Sequence, residues 1–287
     1  MNIPSSNEIA QRIQFDEIVK QVQDLPSLPA VVMELLDSID QEDVDINTLA
    51  KKVSHDQALT AKTLRFANSS FYGTPSKVAT IQQAITLLGV TNVRNLILAA
   101  ALSGSFPENQ CAGFSFKAFW RHAIGTALCA KLMARHLHVN PDYAFTAGLL
   151  HDIGRLVLVT RFPTHYAKVL AYRKEHDCRL LEAERAMLGI DHLIAGHALA
   201  VHWHFSEAMQ HTIVGHHEPE KLENSVLVSL VHVANSIVHA LDLAQDEDDL
   251  VPPISLTAWN NIGLEEDVYQ HILRETVLQF EQLDQVL

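Results

Sequence analysis

Residues 80–102 read TIQQAITLLGVTNVRNLILAAAL, and this stretch decides the secondary-structure class. Thr80 with Gln83 forms a capping box, Ile81, Ala84, Ile85 and Leu88 recur at helical spacing, and Gly89 ends the run. Thr91 is expected to cap a second helix, in which Val93, Leu96, Ile97 and Ala100 repeat the stripe. The run LILAAAL predicts that this second helix is buried around most of its circumference.

The same grammar extends in both directions. Upstream, Ile46, Leu49, Ala50 and Val53 follow the i, i+3, i+4, i+7 rule behind Asp45 as N-cap. Before them, Leu25-Pro26-Ser27-Leu28-Pro29 closes a polar, weakly periodic leader, residues 1–24, which is expected to be peripheral. Downstream, SGSFPENQCAGFS over residues 103–115 breaks the pattern with glycine, proline and polar residues. The expected organisation is therefore a helical subdomain over 25–108, a second over 109–245, and an acidic loop with a C-terminal helix over 246–287. In the second subdomain Ser115 opens a long helix to Leu137, and Asn140-Pro141-Asp142 starts another that Gly154 stops. Further helices are expected over 163–176, 191–203, 206–217 and 224–243. No segment alternates with period two between turn signals, so the predicted fold is all-α, a two-part helical bundle.

Composition excludes several functions. Apolar residues make up 48% and charged residues 19% of the 287, the balance of a packed domain. The formal charge of -13 repels phosphate backbones and anionic lipid heads, and Lys62, Arg65, Lys77 and Arg94 are too sparse to track a nucleic-acid strand. Neither a basic, apolar leader nor a membrane-length apolar run is present, so a cytoplasmic location is expected. Three cysteines without CxxC spacing suggest neither a disulfide framework nor a thiolate site. The segment Asp246 to Asp249 reads as a solvated acidic loop.

Histidine is in clustered excess: 15 of 17 fall between His122 and His239. In GLLHDIGR, residues 148–155, an imidazole and a carboxylate adjoin where an apolar helix ends, so His151 and Asp152 can reach one ion. His192, His216 and His217 fall on apolar stripes, and His122 follows Phe119 and Trp120. Five imidazoles and one carboxylate directed inward are hard to satisfy from helical carbonyls, which are already bonded, whereas a shared cation satisfies them together. The donor set suits one or two divalent ions, iron, manganese or zinc. His136, His138, His165, His176, His197, His202, His204 and His211 read as ordinary surface or core residues, while His232 and His239 stay open as supporting groups.

These residues carry a resemblance. His122, His151-Asp152, His192 and His216-His217 resemble the ligand order of HD-superfamily phosphohydrolases and HD-GYP phosphodiesterases. LPSLPAVVMELL, SHDQALTAKTLRFANSSFYG and KVATIQQAITLLGVTNVRNLIL are similar to the HDOD domain of bacterial signalling proteins. Two departures stand out. Asn235 occupies the place of the family's closing aspartate, and His217 is followed by Glu218-Pro219-Glu220-Lys221 where a GYP sequence would stand. The resemblance implies a signalling module that keeps a metal centre made by His122, His151, Asp152, His192, His216, His217 and Asn235, with a protein partner. The alternative it implies is an active phosphohydrolase acting on a phosphorylated small molecule or nucleotide, with Asp152 and Arg155 in the chemistry.

Overall fold

Serine, asparagine and aspartate caps start the helices of the C-terminal half where the sequence places them. Ser115 accepts from Ala118 N at 3.1 Å, Asn140 from Asp142 N at 2.9 Å, and Asp191 from Ile194 N at 3.0 Å. The structure, a computed structural model, describes residues 12–25, 28, 30–37, 46–68, 77–106, 111–222 and 225–284. Asp45 and most of the Leu25 to Pro29 punctuation lie outside the described residues, as do parts of the HDOD-like strings.

The described residues form only helices and connections. The first six helices are α1 (Phe15–Gln23), α2 (Ala30–Asp37), α3 (Ile46–Ser54), α4 (Gln57–Ala67), α5 (Ile81–Leu88) and α6 (Val90–Ser105). They lead into α7 (Phe116–Ala134), α8 (Pro141–Leu150), α9 (Ile153–Arg161), α10 (Pro163–His176), α11 (Leu180–Leu188), α12 (His192–His202) and α13 (Glu207–Gly215). A 3₁₀ turn, Pro219–Lys221, precedes α14 (Val226–Ala240), α15 (Leu256–Ile262) and α16 (Glu266–Asp284). α7 is the centre, with α8, α14 and α16 packed around it, and it is buried almost continuously from Phe119 to Ala134. One hydrophobic cluster runs from Ile13 to Phe280.

The capping box at Thr80 forms in altered register. Thr80 Oγ1 accepts from Gln83 N at 3.1 Å, while Gln83 Oε1 reaches past the cap residue to Ala79 N at 2.8 Å. α6 begins at Val90 behind Gly89, so Thr91 lies inside the helix and is not its cap. α7 ends at Ala134, short of Leu137. The C-terminal region holds two helices, α15 and α16, where one was expected.

Two expectations change in ways that matter for the site. The described part of the leader, residues 12–24, is not peripheral: Ile13, Ile18 and Val22 are buried, α1 packs on α12, and Ile13 N donates to Leu188 O at 3.0 Å. Its polar composition hid an apolar face only two turns long. Gly154 is not a helix stop either. The chain breaks after Leu150, with Asp152 at φ -98° and ψ 11°, and Gly154 lies inside α9. A Cβ there would stand 1.9 Å from His192 O and 2.5 Å from Gly196 N, so this glycine is required by the close crossing of α9 and α12.

Candidate metal centre

Most of the predicted ligands sit at helix ends, where the chain can aim adjacent side chains at one point. His151 and Asp152 form the joint between α8 and α9, His192 opens α12, and His216-His217 comes directly after the last residue of α13. His122 projects from mid-helix in α7, as Asn235 does in α14. Two glycines bring these ends together. Gly154 lets α9 meet α12, and a Cβ on Gly148 would stand 2.8 Å from Ala127 Cα, so α8 meets α7 backbone to backbone.

The six side chains converge into two groups that share one carboxylate. Asp152, His192, His216 and His217 offer ligand atoms within 4.8 Å of one another, and so do His122, His151 and Asp152. Asp152 Oδ1 lies 3.4 Å from His192 Nε2 and 3.3 Å from His216 Nε2, while Oδ2 lies 3.7 Å from His151 Nε2. His122 Nε2 faces His151 Nε2 at 3.2 Å, and His217 Nε2 faces His192 Nε2 at 3.2 Å. The eight histidines read as ordinary from the sequence join neither group among the described residues.

Hydrogen bonds behind the rings decide which nitrogen faces inward. A carbonyl only accepts, so His151 Nδ1 donates to Gly148 O at 2.7 Å and His216 Nδ1 donates to Ile213 O at 2.9 Å. His192 Nδ1 donates to Glu184 Oε2 at 2.6 Å, and that oxygen also takes His192 N at 2.9 Å. Each bond leaves the Nε2 lone pair directed into the centre, the orientation a metal-bound imidazole has. Tyr166, fully buried, holds Glu184 from behind by donating to Oε1 at 2.8 Å.

Burial keeps three of the rings, His122, His151 and His217, neutral. It drives the His151 imidazolium down to about 3, helped by His216 and His192 and opposed by Asp152. Burial, then His239 and His151, likewise hold His122 well below its ordinary value, and burial with His216 and His192 does so for His217. His192 is the exception: burial lowers it, but the Glu184 carboxylate raises it further. Burial opposes ionisation of Asp152, yet His151, His216 and Arg155 around it hold the carboxyl well below the ordinary range.

Several polar atoms find no hydrogen-bond partner here among the described residues: His216 Nε2, His122 Nδ1 and Asn235 Oδ1. Leaving such atoms unpaired in a buried site is costly. A divalent ion bound by Nε2 lone pairs and a shared carboxylate fits this donor set. Asn235 is buried on α14, between His232 and His239 of the same helix. His232 Nδ1 donates to His216 O at 2.7 Å and His232 Nε2 accepts from Ser255 N at 2.8 Å, which anchors the backbone of the histidine pair. The His239 ring lies 4.4 Å from the His122 ring, centroid to centroid.

Around the six lie Arg155, which the resemblance placed in the chemistry, and groups that the sequence did not reveal. Arg155 donates to Asp152 Oδ2 at 3.0 Å and lies over the rings of Phe119 and Phe114, 5.6 and 5.9 Å from their centroids. Burial works against its charge, but Asp152 secures it. Glu184 was hidden in LLEAERAML, although its position four residues from both Leu180 and Leu188 marks a carboxylate on an apolar stripe. The acidic segment is not merely solvated. Asp249 bonds the His239 ring, and with Asp246 it takes the buried Arg173 guanidinium.

The HDOD domain family matches residues 25–219. Over 234 residues the chain is 27% identical to an uncharacterized protein of Treponema pallidum, covering 78% of this chain but only 44% of that protein. An HDOD domain protein of unknown function from Geobacter sulfurreducens has the same fold, with a TM-score of 0.81 at 23% identity, covering 96% of this chain and 99% of that one. A protein of Shewanella amazonensis, proposed to be a phosphohydrolase, superposes with a TM-score of 0.72 at 29% identity over 94% of this chain and 97% of that one. No helix among the described residues is long and apolar enough to cross a membrane.

Proposed function

Because the chain belongs to the HDOD domain family, we propose that it is a signal-transduction module built on a divalent-metal centre, in which Asp152 is shared between two ion positions. His122 and His151 would complete one position, and His192, His216 and His217 the other, with the neutral amide oxygen of Asn235 as a weak further donor. The carrying observation is the outward hydrogen bonding of His151, His192 and His216, which leaves three Nε2 lone pairs aimed at one carboxylate. Nitrogen and oxygen donors together suit iron, manganese or zinc. When bound, such ions polarise a phosphoryl oxygen and bring the pKa of a water toward about 7. The chain's own part is orientation and charge: Glu184 fixes the His192 ring, and Arg155 sets a permanent cation beside Asp152.

A second reading, a metal-dependent phosphohydrolase, is favoured by Arg155 at the cavity wall beside Asp152, His192 and His217, and by the likeness to the Shewanella protein. The regulatory reading takes precedence because Asn235 replaces an anionic ligand and an acidic segment stands in the cavity mouth.

Metal analysis of the purified protein tests both. One to two transition-metal ions per chain are expected, reduced by His151→Ala and by Asp152→Ala. A folded wild-type protein that takes up neither iron, manganese nor zinc overturns both readings. With bis(p-nitrophenyl) phosphate and added manganese, the module shows no turnover. Turnover that Asp152→Ala abolishes establishes the enzyme instead.

A further inference from the structure

The segment after α14 turns sharply back toward the centre. Asp242 and Gln245 occupy the left-handed region, at φ 49° and 54°, and the buried Leu243 and Ala244 pin the turn. Beyond the turn, Asp246-Glu247-Asp248-Asp249 concentrates four acids of a chain whose formal charge is already -13. Solvation would be the natural fate of such a run. Instead Asp246 and Asp249 each place a carboxylate oxygen on one buried cation, while Asp248 pairs with the exposed Lys174 and Glu247 faces solvent.

Arg173, 5% exposed, projects from α10 into this segment. Its NH1 donates to Asp246 Oδ2 at 3.3 Å, and its NH2 donates to Asp249 Oδ1 at 3.1 Å and to Asp248 O. The second oxygen of Asp249 bonds His239 Nδ1, and the His239 ring lies against His122 of the centre. Arg173 Nε has no hydrogen-bond partner among the described residues. Three acceptor oxygens collected by one guanidinium, with an imidazole on the far side, is the pattern that a phosphate group satisfies by itself.

Two cavities meet at this segment. One, of about 190 Å³, opens on Asp152, His192 and His217, and another, of about 160 Å³, opens on His122. They share one wall, made of Arg155, Arg173, His239 and Asp249. Asp249 therefore stands as a partition between two openings, each leading to one ligand group. Small-molecule sites start at about 300 Å³, so neither opening alone seats a nucleotide-sized ligand.

We propose that residues 246–249 are an internal occupant of an anion subsite formed by Arg173 and His239, and that a ligand with a phosphate outside the metal centre must displace them to enter. This deepens the reading given above and rests on it for the phosphorylated ligand. The acidic segment is then an autoinhibitory strap: the site is closed while Asp246 and Asp249 hold Arg173, and a pyrophosphate-bearing or doubly phosphorylated ligand opens it. The free energy of the internal ion pairs is subtracted from that of ligand binding, since both compete for the same guanidinium.

Calorimetric titration of pyrophosphate into the full chain, as purified and after chelation, tests this apart from the metal reading. The variant carrying Asp246→Asn with Asp249→Asn is expected to bind pyrophosphate at least tenfold more tightly than wild type in both samples. Adding Arg173→Met should remove the gain. The same gain in protein that never holds metal supports the strap while refuting the metal centre. Equal affinity of the double variant and wild type, or a gain that survives Arg173→Met, overturns the strap whatever the metal content. Should the double variant fail to fold, hydrogen exchange of wild type reads the same displacement. Amides of residues 246–251 exchange faster with pyrophosphate present, and unchanged exchange overturns the proposal.

Discussion

Glu184 shows how much of a metal centre lies behind its ligands. It touches no ligand atom that faces the cavity, yet it fixes the His192 ring through Nδ1 and the start of α12 through the backbone N–H. Supporting carboxylates of this kind typically contribute 10- to 100-fold in metal affinity. Glu184→Gln is therefore expected to weaken metal binding by about that factor, measured by competition with a chromogenic chelator, while the protein stays folded. The protonation pattern predicts acid sensitivity. His151 has a folded value of about 3 against 6.5 for the free side chain, so between these values the unfolded chain binds the extra proton and stability falls as pH falls. His122 and His217 act in the same direction. His192, raised by Glu184, acts oppositely: its contribution is complete below pH 6.5 and is lost as pH rises through its folded value. With three rings against one, the urea midpoint of metal-free protein should fall between pH 7 and 5, reflecting a loss of stability of up to about 1.4 kcal/mol per pH unit for each neutral ring. A midpoint that rises on acidification contradicts the neutral-ring assignment. At this scale His192, His216 and His217 were legible as imidazoles on apolar stripes, His151 and Asp152 as adjoining donors at the end of an apolar helix, and His122 from its place after Phe119 and Trp120. Glu184, Tyr166 and Arg173 were not, because single charged or phenolic residues are common on ordinary helices.

Helix starts were legible for a local reason: a Ser, Thr, Asn or Asp side chain bonds a backbone N–H only two or three residues away. The joint between α8 and α9 was not, because the same residues, GLLHDIGR, also read as a single helix ending at glycine. The crossing of α9 over α12 decides it, and that is visible only once both helices are placed. Gly154→Ala tests that crossing. Its methyl would stand 1.9 Å from His192 O, a backbone atom that cannot rotate away, so α9 and α12 must separate. A loss of about 3 kcal/mol or more is expected by chemical denaturation, at the upper end of overpacking costs, together with loss of metal. A variant of wild-type stability would show that the crossing is looser than described. α1 teaches the complementary lesson. Its buried face is Ile18 and Val22, with Ile13 just before the helix, too short to register as a periodic pattern, yet burial contributes about 1.5–3 kcal/mol per side chain.

At the scale of the molecule, a single hydrophobic cluster joins the first described helix to the last, and the candidate metal centre lies where α7, the α8–α9 joint, α12 and α13 meet. Removing residues 1–24 exposes the face of α12 that α1 covers. The truncated chain should melt at least several degrees lower and bind metal more weakly, and unchanged melting would place the leader outside the cooperative unit. The all-helical class, most helix starts and the identity of the six convergent side chains were determined by the amino-acid sequence alone, because caps and apolar spacing act within a few residues. Only the tertiary structure decided that those side chains form two groups around Asp152, that Glu184 orients one of them, and that Asp246 and Asp249 of the acidic segment are tied to Arg173 and His239. Those facts depend on contacts between residues far apart in the chain, such as Arg173 with Asp249 and Gly154 with His192, and no local pattern encodes such a distance.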